Sequence, residues 1–150
     1  MMASIQQQEA LMAILVGRWE QVSRKVAELA EVIPGNEFDS RPLAGIRSFS
    51  EVLRHIAFWN QYVAHTLNGK EADDTGNELP PAGYSTKVSI LEALKHSSAD
   101  VAMALHGPHS SLDLKAAELI ITFVEHTSEH YGQLVVYTRL MGIVPPASRT

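Results

Sequence analysis

Apolar residues return every three or four positions through four stretches of this chain, and each stretch is closed by glycine, proline or a capping residue. That period is the signature of amphipathic helices. In the first stretch Leu11, Leu15, Trp19, Val22, Val26, Leu29 and Ile33 form one stripe, which Pro34-Gly35 stops. The second begins at Ser48, where Ser48 and Glu51 have the spacing of a capping box. Its stripe is Val52, Ile56, Trp59, Val63 and Leu67, and Asn68-Gly69 ends it. The third starts between Ser85 and Ser89, with Val88, Leu91, Leu94, Ser98, Val101 and Leu105 as its stripe, and Gly107-Pro108 breaks it. The fourth runs from near Asp113 to about Met141, with Gly142 as cap and Ala116, Leu119, Phe123, His126, His130, Gln133, Tyr137 and Leu140 as its stripe. Val144-Pro145-Pro146 cannot continue it.

No strand pair carries a hairpin signal, and there is no internal repeat or low-complexity tract. The expected fold is an all-α four-helix bundle, one domain over residues 1–150, with long connections after helices 1 and 2. Residues 34–47 and 70–84 read as loops, the latter as a surface connection. Fourteen extended residues reach ~45 Å, more than the ~30 Å of a 20-residue helix, so either connection is long enough to cross the bundle. Trp19 and Trp59 are expected as core anchors.

Composition narrows the chemistry. A formal net charge of −5 and the lack of any basic run argue against a nucleic-acid or acidic-membrane partner. Ala10 to Gly17 follows Gln6-Gln7-Gln8-Glu9, with no positive n-region, and is far shorter than the ~20 residues a membrane span needs, so a cytoplasmic protein is expected. There are no cysteines, which excludes disulfides, thiolate ligands and a cysteine nucleophile. A transition-metal site would have to use His, Asp or Glu, and the chain has seven histidines.

His126 and His130 occupy consecutive positions of the fourth stripe, read as core positions. A separation of four places both rings on one helix face, with Cβ atoms ~6 Å apart. Two imidazoles in a dry core each need a partner, and one ion would satisfy both. His55 borders the inward stripe of its own helix and is the third candidate. Judged alone, a histidine at a core edge is more often a hydrogen-bonded structural residue; for the 126/130 pair, metal ligation and a structural role stand about even. His65, His96, His106 and His109 read as solvated. His126-Thr-Ser-Glu129-His130 also matches the H-x-x-E-H pattern of inverted zinc peptidases, in which the Glu is general base. Such a site needs a further acidic ligand, and no Asp or Glu follows His130. No G-x-S-x-G, P-loop or G-x-G-x-x-G is present.

Arg47-Ser-Phe-Ser-Glu-Val-Leu-Arg-His55-Ile-Ala resembles the start of the second helix of the DinB/YfiT-like metalloenzymes. His126-Thr-Ser-Glu-His130-Tyr-Gly-Gln-Leu-Val-Val-Tyr-Thr-Arg-Leu-Met-Gly142, followed by Val144-Pro145-Pro146, resembles the C-terminal signature of the same family. The likeness covers nearly the whole chain. It implies a four-helix bundle, often a homodimer, with one divalent metal on His55, His126 and His130. Zinc or nickel is the expected ion, with iron or manganese as alternatives. The activities implied are thiol S-transfer with a low-molecular-weight thiol, thiol-dependent isomerisation and, more broadly, small-molecule chemistry. Tyr131 departs from the His or Arg common at its position, which affects substrate contacts and not the ligand set.

Three neutral histidines leave a coordination position open, and an ion there lowers the pKa of water or a thiol toward neutrality. The expectation is a metal-dependent transferase or hydrolase of a small molecule. The competing expectation is a non-catalytic dimeric bundle with a structural metal, or with a small-molecule-binding or stress-response role. Glu51, one turn before His55, is a candidate acceptor for its free ring N–H, in competition with its capping role, and Gln133 is a candidate to touch a ligand or substrate.

Overall fold

The computed structural model describes residues 4–107 and 113–150. Four long helices carry it: α1 (Ile5–Val32), α2 (Phe49–Leu67), α3 (Lys87–His106) and α4 (Leu114–Leu140). Among the described residues there is no strand. Each helix starts on a side-chain cap. Ser4 pairs with Gln7, Ser48 with Glu51 and Thr86 with Ser89 in reciprocal capping boxes, and Asp113 accepts from the Ala116 N–H. These caps satisfy donors that the first helical turn leaves without a partner. Gly69 (φ +67°) and Gly142 (φ +77°) follow α2 and α4 in the left-handed conformation that glycine adopts freely.

α1 and α2 lie diagonally across the bundle, as do α3 and α4. Helix directions follow from the cross-links. Lys87 Nζ donates to the Glu31 and Ile33 carbonyls and Trp19 Nε1 to the Ser98 carbonyl, so α1 and α3 are antiparallel. Tyr137 reaches back to Arg47 while His126 meets His55, so α2 and α4 are antiparallel. Asn60 bonds Ser97, Leu53 and Ile90 belong to one core cluster, and Val63 and Val101 belong to the other, so α2 and α3 run parallel.

Parallel neighbours require a connection that returns along the bundle. Residues 68–86 do this, lying along α2. The Leu79 N–H bonds the Arg54 carbonyl, Leu79 itself is buried, and Arg54 forms a 2.9 Å ion pair with Glu78. The surface connection expected there is partly built into the core. Gly76 passes so close to Phe58 that a Cβ would lie 2.9 Å from the ring. Residues 33–48, by contrast, cross one end of the bundle and bury Phe38.

The core departs from the expected stripes in definite places. Leu11 and Val88 are exposed, Ser97 and not Ser98 is buried in α3, and Val16 and Ile90 are core residues outside the stripes. α2 is the central helix: no residue from Phe49 to Phe58 is exposed. α4 is different. Its fully buried residues are Ile120, Thr127, Leu134, Tyr137 and Thr138, and Leu140 is exposed. Apart from the buried Tyr137, the stripe that contains His126 and His130 is therefore the half-buried or exposed margin of α4 and not its core face. Its neighbour is the cleft between α4 and α2.

Candidate metal centre

His55 projects from the buried middle of α2 and is 5% exposed. His126 and His130 project from α4 and are half-buried. The three rings form a nearly equilateral triangle, with centroids 4.9 Å (55–126), 4.7 Å (55–130) and 4.6 Å (126–130) apart. Their planes are inclined by 50–79° to one another. One nitrogen from each ring lies within 4.8 Å of the others.

Hydrogen bonds fix the protonation of two rings. His55 Nδ1 lies 2.6 Å from the Asn77 carbonyl, which can only accept, so Nδ1 carries the proton and Nε2 presents a lone pair. For His130 the constraint arrives through a chain. The Arg47 carbonyl accepts from the Tyr137 hydroxyl (2.7 Å), and the hydroxyl oxygen accepts from Gln133 Nε2 (2.9 Å). Gln133 Oε1 then faces His130 Nδ1 at 2.9 Å, and that nitrogen must donate. The lone pair of His130 is left on Nε2.

His126 Nε2 sits 2.9 Å from His55 Nε2. Two bare lone pairs at that distance repel, so a proton or a cation must lie between them. Nitrogens bound ~2.0–2.1 Å from one ion lie roughly 2.9–3.4 Å apart for angles near 90–109°, so the pair fits an ion. His126 Nδ1 is buried and makes no hydrogen bond. Burial holds His55 down to about 4, against the opposing Asn77 bond, with the charges of Arg47 and His130 adding to the fall. His126 is likewise held at about 4, by burial first and then by His130, His55 and Arg47. Both imidazoles are neutral at pH 7, the form a metal requires. Three such donors could hold a metal ion.

Half-buried aromatic rings wall one side. Trp59 stacks on Phe123 at 5.5 Å, and both stand edge-on to His126. Trp59 is thus a wall of the site, whereas Trp19, 1% exposed, is a core anchor. On the other side a cleft of about 600 Å³ reaches His130 and is lined by Arg41, Gly45, Ile46, Arg47, Glu51 and Gln133. A larger cavity of about 820 Å³ lies toward the other end of the bundle, beside His65, Asp100 and Asp113, and contains none of the three histidines.

The structure moves one supporting role. Glu51 does not accept from His55: its carboxylate holds Arg41 at 2.8 Å and the Ser48 N–H at 2.6 Å, which pins it to the helix start. Asn77 takes that place, from a loop that the stripes do not reach. It adopts φ +60°, and its side chain also accepts from Trp59 Nε1 at 3.0 Å. The one sequence signal for it is the Gly76-Asn77 pair, since asparagine tolerates the left-handed region. Gln133 lies against His130, as described above. Glu129 is exposed and outside the cluster, so the inverted-peptidase pattern has no general base here. His65, His96 and His106 are exposed, and His109 lies outside the described residues. Tyr131 turns toward α1, with Lys25 Nζ 5.6 Å from its ring centre.

Comparison with known families matches residues 18–134 to the model of the DinB superfamily. No curated protein matches the chain.

Proposed function

The chain belongs to the DinB superfamily, and from that membership and the converging imidazoles we propose that it is a metal-dependent enzyme acting on a small molecule. The ligands are His55, His126 and His130, and the reaction is thiol S-transfer or hydrolysis. The observation that carries the reading is the constraint on His55 and His130: each Nδ1–H is held by an acceptor, which leaves both lone pairs on Nε2, and one nitrogen of each of the three rings lies within 4.8 Å of the others. A divalent ion held there supplies Lewis acidity that brings the pKa of water or a thiol toward neutrality.

The chain's own residues do the rest. Burial keeps the ligands unprotonated. The Trp59–Phe123 wall shields His126 from solvent on one side, and the cleft beside His130 admits a substrate on the other. Three neutral donors do not saturate a zinc or nickel ion, which separates this set from closed structural sites. Iron and manganese are also compatible with imidazole. A low-molecular-weight thiol is the proposed cosubstrate, and a homodimer the proposed assembly. Leu114, Ile121, Val136 and Leu140 leave apolar side chains exposed along the outer side of α4, which supports the dimer. No helix among the described residues is long and apolar enough to cross a membrane, in keeping with a cytoplasmic role.

Metal analysis of protein purified without a histidine tag tests the reading first. One divalent ion per chain is expected, and His126→Ala and His130→Ala should each abolish its retention while helical content stays. If both variants keep the ion, the ligand assignment is wrong. A screen of Zn, Ni, Mn and Fe forms for thiol conjugation and ester hydrolysis tests the chemistry. Absence of turnover with every ion would leave a coordinatively saturated, structural metal as the better account.

A further inference from the structure

The cleft beside His130 is short of negative charge. Its only carboxylate is Glu51, and both oxygens of Glu51 are engaged, one by Arg41 and the other by the Ser48 N–H. Arg41 is engaged in turn, since its other guanidinium nitrogen donates to the Ile46 carbonyl. Arg47 is not. It is half-buried, it lines the cleft with His130 and Gln133, and no hydrogen bond or ion pair is made by its guanidinium among the described residues. Its charge is nonetheless felt at His55 and His126. A ligand set of three neutral imidazoles adds no compensating charge to a dipositive ion.

The other donors nearby are spent. The N–H groups of Ser48, Phe49, Ser50, Glu51 and Val52, which open α2, bond Glu51, Ser40, Phe38, Ser48 Oγ and the Ser48 carbonyl. The helix start therefore offers no anion site of its own. The backbone of Arg47 is fixed, because its carbonyl ends the chain that runs through Tyr137 and Gln133 to His130. A guanidinium so placed presents a planar fork of donors that matches a carboxylate or phosphate bidentately.

We infer that Arg47 anchors an oxyanion, a carboxylate or phosphate, carried by the substrate whose reacting end faces the histidine cluster. The place of that reacting end rests on the function proposed above; the binding of an oxyanion at Arg47 does not. The substrate class narrows to small anionic molecules, and a thiol cosubstrate would carry an acid group.

The experiment titrates succinate and inorganic phosphate into ¹⁵N-labelled protein, both chelator-treated and zinc-loaded, following the Arg47 Nε–H resonance in wild type, the backbone amide resonances of the cleft in wild type and variants alike, and the metal content separately. Saturable movement of the Arg47 resonance with at least one of the two anions is expected, and the stronger one identifies the group. Arg47→Gln should weaken binding about ten- to a hundredfold, the loss expected for a charge-assisted hydrogen-bonded pair. Arg47→Lys, which keeps the charge and loses the fork, should recover only part of it. Metal content should be unchanged in both variants. Equal binding by wild type and Arg47→Gln, or no response at Arg47 to either anion in either metal state, overturns the assignment. Loss of metal from wild-type protein with Arg47-dependent anion binding retained would instead sink the proposed metal chemistry and leave the anchor standing.

Discussion

α2 and α4 supply the three imidazoles and hold them in opposite ways. α2 presents no exposed residue between Phe49 and Phe58, so His55 sits in a packed stretch, 5% exposed, and its Nδ1 is held by a backbone carbonyl. α4 buries a narrow edge and leaves His126 and His130 half in solvent. There the orientation of His130 depends on side chains, through Gln133 and Tyr137. A ligand on a central helix inherits its geometry from the core. On the marginal helix the two histidines differ: His130 takes its geometry from a dedicated hydrogen-bond chain, whereas His126, whose Nδ1 has no hydrogen-bond partner, sits among the rings of His55, Trp59 and Phe123.

The largest test of that contrast is a pair of truncations. Leu53 in α2 is 0% exposed, whereas Ile121 in α4 is 50% exposed. Leu53→Ala should cost about 2–5 kcal/mol in chemical denaturation, the range for emptying a packed core site. Ile121→Ala should stay within about 0.5 kcal/mol, as surface changes do. Comparable losses would mean that the outer side of α4 is covered, and that result would support the proposed dimer. Next in size is Gln133→Leu, which frees His130 Nδ1. Zinc affinity should fall about tenfold to a hundredfold in competition with a chelator, while stability changes little. Unchanged affinity would show that the relay is ornamental and that packing holds His130 as it holds His55.

The bundle and the clustering of His126 and His130 on one face were legible because both write themselves into spacing. Capping residues, stop signals and a period near 3.6 located every helix, and the i, i+4 histidines announced a shared face. Burial along α4 was not legible, because the histidine stripe and the true core stripe are offset by only one or two positions: Thr127 adjoins His126, Leu134 adjoins Gln133, and Tyr137 belongs to both. Asn77 was hidden for a different reason. The parallel packing of α2 and α3 sends residues 68–86 back along the bundle and brings a loop carbonyl to His55, and that return path is a property of topology. Glu51 looked like the partner of His55 because one helical turn separates them, but the capping geometry of Ser48 and the nearby Arg41 claim its carboxylate.

Asn77→Ala probes the packed side of the contrast with a smaller effect. The carbonyl that holds His55 survives any side-chain change, so only the Trp59 bond and the tolerance for φ +60° are lost. A stability loss of about 1–2 kcal/mol is expected from those two terms together. Asn77→Gly, which adopts that backbone readily, should restore part of it. Zinc affinity should fall less than in Gln133→Leu. A larger fall would mean that the loop, and not the core, positions His55.

The smallest effect belongs to Glu51→Gln, which separates the helix cap from the ion pair. Glutamine preserves the reach to the Ser48 N–H and removes the charge that Arg41 holds. The Arg41 hydrogen bond keeps the Glu51 carboxyl below its ordinary value of 4.5, the capping N–H of Ser48 acting in the same direction. A depressed carboxylate contributes stability above its unfolded value and loses it as pH falls through the folded one. The gap between wild type and Glu51→Gln should therefore be widest near pH 7 and close as the pH drops below 4.5. His55 and His126, both held near 4 in the metal-free protein, protonate over an overlapping range in both proteins and so cancel from the difference. A gap that stays constant from pH 7 to 3 would show that the carboxylate's charge adds nothing. A fall in zinc affinity as large as that of Gln133→Leu would be more damaging, because it would return to Glu51 the role that the geometry gives to Asn77.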